Sequence, residues 1–66
     1  MNFENTGKVI MMVFDELQND DKSTEIIDLI DGGESDAEIT EGLKKGILRL
    51  KELGKEDVAK EIESLM

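Results

Sequence analysis

From Ser35 to Gly54 the apolar residues Ile39, Leu43, Ile47, Leu50 and Leu53 are spaced four, four, three and three apart. Only a helix puts such a series on one continuous face. Its start is marked by Ser35-Asp36-Ala37-Glu38, a capping box. The serine oxygen accepts from the Glu38 backbone N–H, and the Glu38 carboxylate reaches back to the N–H of Ser35. Asp36 and Glu38 also meet the positive end of the helix dipole. Gly54 ends the segment, and Glu56-Asp57 open another with Val58, Ile62 and Leu65 as its apolar face. A break of only about two residues at Gly54-Lys55 makes these helices fold back as an antiparallel hairpin.

The first half is patterned less sharply. Between Asn2 and Asn19, Val9, Ile10, Val13, Phe14 and Leu17 form a helical stripe, and Met11 and Met12 widen it beyond one face. The unbroken apolar run Val9–Phe14 also has the length of a buried strand, with Gly7 ahead of it. Two methionines and the continuation Asp15-Glu16-Leu17-Gln18 favour helix. A polar turn, Asn19-Asp20-Asp21-Lys22, comes next. Asp21 or Ser23 then caps a shorter helix carrying Ile26, Ile27, Leu29 and Ile30. Gly32-Gly33 is expected to end it through the left-handed conformation open to glycine. The expected fold is all-α, a single domain over residues 1–66: a small bundle of four short helices with a C-terminal antiparallel helical hairpin.

Such a bundle is near the lower size limit for independent folding. The chain has no cysteine, so no disulfide supports it, and its 38% apolar content is below the roughly 45–50% of average domains. Phe3 and Phe14 are the only aromatic residues. A core must come from Ile, Leu, Val and Met, and self-association becomes an expected source of stability. Val9–Phe14 falls far short of the ~20 residues of a membrane span and lacks the flanks of a secretory leader. A cytoplasmic protein with no membrane partner is the expectation.

Seventeen acidic residues against eight basic ones leave a net charge of −9. Residues 1–42 hold twelve acids and two lysines; residues 43–66 hold five acids and six bases. A chain this negative repels phosphates, so direct nucleic-acid binding is disfavoured and a basic protein surface is the natural partner. Without histidine or cysteine, thiol and imidazole chemistry are absent, and the usual zinc sites with them. The carboxylates around Gly32-Gly33 fit no calcium-loop register: from Asp31 the twelfth residue is Gly42, and from Asp28 it is Ile39. Paired carboxylates could serve acid–base chemistry, but a helical chain of this size has little room for a substrate cleft. No enzyme, cofactor or metal is expected.

Two stretches resemble known families. Glu25–Leu43 is similar to the scaffold part of LuxR/GerE-type helix-turn-helix domains, with a glycine, then Ser35, Glu38-Ile39 and Leu43 at matching places. That resemblance implies a transcription-associated module. It stops at Lys44-Lys45-Gly46-Ile47, where such domains continue with an apolar residue, a Ser or Thr and a basic recognition helix. Ser35 at a helix start in an acidic chain also resembles acyl carrier proteins. Here it stands in Glu34-Ser35-Asp36 rather than in their Asp-Ser-Leu, and N-capping accounts for it.

The leading functional expectation is a small acidic regulator or inhibitor that occupies a basic surface of a partner, with a nucleic-acid mimic of phage or mobile-element type as a special case. Its acidic face would comprise Asp15, Glu16, Asp20, Asp21, Glu25, Asp28, Asp31 and Glu34. Met11, Met12 and Phe14 would support self-association into a homodimer. The alternative is the helix-turn-helix-like regulatory module.

Overall fold

In the computed structural model, which describes the backbone of residues 3–66 and the side chains of residues 5–66, four α-helices follow one another: α1 (Phe3–Leu17), α2 (Thr24–Asp31), α3 (Asp36–Glu52) and α4 (Glu56–Leu65). A single 3₁₀ turn, Asp21–Ser23, leads into α2. Val9–Phe14 lies inside α1, so the strand alternative is gone. Asn2, where the first helix was expected to begin, lies outside the described residues.

The core takes one narrow stripe from each helix: Val9, Val13 and Leu17; Ile26 and Ile30; Leu43, Ile47 and Leu50; Ala59 and Ile62. Ile10, Met12, Phe14, Ile39, Val58, Leu65 and Met66 pack around its edge, only partly buried. The expected stripe of α3 is thus correct at its centre and frays at both ends. Leu53 departs from it altogether and is 40% exposed, because the helix stops just before it. Ala59, too small to stand out in the apolar pattern, is fully buried where α4 meets the bundle.

α3 is the hub. Two glycines one turn apart let it approach its neighbours closely: a Cβ on Gly42 would lie 2.7 Å from Cγ1 of Ile30, and one on Gly46 would lie 3.0 Å from Cγ1 of Val13. Each glycine costs a helix about 1 kcal/mol relative to alanine, a loss accepted here for backbone-close packing.

The helix ends follow local chemistry, with three corrections. Ser35 Oγ accepts from the Glu38 N–H at 3.3 Å as expected, but the Glu38 carboxylate accepts from the N–H of Glu34 at 3.4 Å, one residue earlier than the box predicts. Neither Asp21 nor Ser23 caps α2 through its side chain; the Ser23 hydroxyl donates to Asp20 instead. Gly32 ends α2 at φ −92°, and only Gly54 has positive φ among the described residues, at 81°. At Gly54 the Lys55 N–H reaches the Leu50 carbonyl at 2.8 Å, and the Gly54 N–H reaches the Lys51 carbonyl at 3.1 Å. This Schellman closure turns the chain into the hairpin of α3 and α4. Asn5 Nδ2 donates to the Leu65 carbonyl at 3.3 Å and closes the bundle by tying α1 to the end of α4.

Candidate interaction surfaces

The acidic residues separate into two groups. Asp20 lies in the turn after α1 and forms a fork with Arg49 of α3: Nε to Oδ2 at 2.6 Å and Nη2 to Oδ1 at 3.0 Å. Ser23, fully buried, donates its hydroxyl to the same Oδ2 at 2.5 Å. The Arg49 hydrogen bonds, with help from Ser23, hold the Asp20 carboxyl well below the usual carboxylate range, and the same contact raises Arg49 above its ordinary value. Glu16 meets Lys55 at 2.9 Å and so ties α1 to the turn between α3 and α4. These two acids were expected on a partner-binding face. Their side chains are instead engaged in holding helix to helix.

The second group is outward and unpaired. Asp21, Glu25, Asp28 and Asp31 are all exposed; the last three, at spacings of three and three, lie on the face of α2 opposite Ile26 and Ile30, and Asp21 precedes them in the 3₁₀ turn. Exposed Glu34 and Asp36 carry the charge around the turn into α3. None of these six is in an ion pair among the described residues. Asp15 is exposed too, but on α1, in line with Lys8 and Met11. Among the described residues, no group of acidic side chains is arranged to hold a metal ion.

The three residues expected to support self-association also divide. Met11 is 66% exposed, whereas Met12 and Phe14 pack against the core. A residue absent from the sequence-based expectation is nearly as exposed: Leu48, at 61%. The signal was available, because Leu48 sits one position off the stripe of Leu43, Ile47 and Leu50. It lines a groove of about 400 Å³ between α3 and the end of α4, bordered among the described residues by Lys44, Ile47, Lys51, Glu63 and Met66.

Comparison with protein-family models, curated proteins and solved structures returns no match. Among the described residues, no helix is long and apolar enough to cross a membrane.

Proposed function

We propose that this chain is a non-catalytic binding module whose acidic α2 face occupies a basic surface of a partner protein. The observation that carries the reading is the unpaired stripe Asp21, Glu25, Asp28 and Asp31, continued by Glu34 and Asp36. Uncompensated like charge on a domain this small works against its stability. Opposite charge on a partner would relieve that repulsion and steer association. A nucleic-acid mimic is the special case: Glu25, Asp28 and Asp31 rise by roughly 4.5 Å per step along the helix axis, of the same order as the roughly 3.4 Å of axial rise per phosphate on one DNA strand.

Catalysis has little to draw on. The sequence has no imidazole or thiol, and the buried Ser23 hydroxyl is committed to Asp20. Met11, exposed on α1, remains the anchor for an apolar contact or a dimer.

The test is capture of binding proteins on immobilised wild type and on a Glu25→Lys, Asp28→Lys, Asp31→Lys variant, followed by association kinetics with the protein recovered. A basic protein retained by the wild type and lost by the variant, with association slowing as salt rises, supports the proposal. Equal binding by both would overturn it. Salt-sensitive retention of the wild type on duplex DNA would favour the helix-turn-helix-like reading instead.

A further inference from the structure

The same chain carries a second surface of opposite character. Lys44 and Lys45 project from the middle of α3, two turns before its end, beyond the last-turn region where a helix dipole favours cations. Both are exposed, and neither is in an ion pair among the described residues, despite the twofold excess of acid in the chain. Between Lys44 and Lys51 stands Leu48, at the mouth of the groove floored by Ile47 and Met66. Lys51 is already paired with Glu63 in that groove at 2.9 Å, which leaves Lys44 and Lys45 as the unpaired cations beside Leu48.

We infer that this face binds an acidic amphipathic helix of a second partner, one apolar side chain covering Leu48 and carboxylates beside it meeting the unpaired Lys44 and Lys45. Lys44 borders the groove on one side of Leu48, and Lys45 borders a second groove that Leu48 also lines, so the exposed leucine has an unpaired cation on either side for the carboxylates that flank an apolar helix face. Nucleic acid fits less well. Among the described residues the groove offers no aromatic platform for a base, and a few lysines on a chain of charge −9 neutralise few phosphates. This inference does not rest on the α2 proposal, although the two surfaces adjoin: Glu25 of α2 lines a groove together with Lys45 and Leu48.

The probe is a fluorescein-labelled synthetic helical peptide with leucines along one face and glutamates flanking them. Its controls are a lysine-flanked version and a scrambled one. Anisotropy gives the affinity, and amide chemical shifts locate the contact. The expected result is binding of the acidic peptide alone, with shifts centred on Lys44, Ile47, Leu48, Lys51 and Met66. Leu48→Glu and, independently, the double change Lys44→Glu, Lys45→Glu should each weaken it by about tenfold or more. Asp28→Lys with Asp31→Lys should leave peptide affinity undiminished. No binding at about 1 mM peptide would overturn the inference. So would equal binding of the lysine-flanked or scrambled peptide, the same shifts produced by duplex DNA, or the same shifts produced by concentrating the protein alone, which would mean that a second copy covers the face.

Discussion

Glu16 lies at the end of α1 and Asp20 in the turn after it, and Asp28 and Asp31 lie a few residues later on α2, yet the two pairs of carboxylates behave differently. The first pair meets cations from distant parts of the chain, Lys55 and Arg49, and closes one end of the bundle. The second pair faces solvent with no cation near enough to engage it among the described residues. Residue type does not separate them. What separates them is whether folding brings a cation from another element, and that depends on the crossing of α3 over α1 and α2. A carboxylate that holds the fold is a poor candidate for partner binding; one the fold leaves alone is a good one.

The largest test of the comparison is at the paired end. Leu50 is fully buried beside Arg49, and its carbonyl accepts the Lys55 N–H that closes the Schellman turn. Leu50→Ala should cost about 2–5 kcal/mol, a large part of what a domain of this size has. Denaturant unfolding checks it, and a loss below about 0.5 kcal/mol would mean that the paired end is not supported by packing.

Next come the glycines, which decide how closely α3 can bring its cations to the other helices. Gly42→Ala puts a Cβ 2.7 Å from Ile30 and 3.3 Å from Cβ of Leu29. Overpacking of about 1–3 kcal/mol, offset by about 1 kcal/mol of helix propensity, leaves a net loss of roughly 0–2 kcal/mol. Gly7 is the contrast: it is exposed inside α1, and nothing lies within 4 Å of the point where an added methyl group would stand. Gly7→Ala should stabilise by about 0.5–1 kcal/mol. Thermal melts that showed both variants shifting the same way would remove the close-approach argument.

Much of this architecture was legible in the sequence, and the part that was not has a common cause. The Leu43–Ile47–Leu50 stripe, the Ser35 cap and the Gly54 turn are set within a few neighbouring residues, so spacing alone reveals them. The role of Asp20 depends on Arg49, twenty-nine residues away, and no local pattern encodes that contact. Gly42 and Gly46 do carry a local signal, since two glycines four apart in a helix of good helix formers ask for a packing reason. Spacing could not say which neighbours they approach. Leu48 is the opposite case: a stripe is built from the residues that fit it, whereas the exposure of Leu48 is told by its failure to fit.

The Asp20–Arg49 fork gives a smaller and pH-dependent effect. Its folded carboxyl titrates below its unfolded value of about 3.9, so the stability it contributes is complete above about pH 5 and is lost as pH falls below about 4. Asp20→Asn should therefore lower the melting temperature at about pH 7, and the gap to wild type should narrow progressively toward low pH. The difference between the two proteins is the proper measurement, because protonation of the other carboxylates relieves self-repulsion in both. A gap that stayed constant down to about pH 2 would show that Asp20 acts as a polar group and not as an ion.

The smallest expected effect on stability is at the α2 face, and its smallness is the point. Asp28→Lys with Asp31→Lys changes the net charge from −9 to about −5 without touching a buried side chain. The double variant should melt at the wild-type temperature or slightly above it at low salt, since repulsion is reduced. The wild type should gain more than the variant when salt is raised, because exposed charges are screened over about 8–10 Å at physiological strength. A fall in melting temperature comparable to that of Asp20→Asn would place these residues in the scaffold and erase the distinction between the two acidic groups. If stability is retained while capture of a basic partner is lost, Asp28 and Asp31 have been separated from the fold by experiment, as the ion pairs at the other end already leave them out.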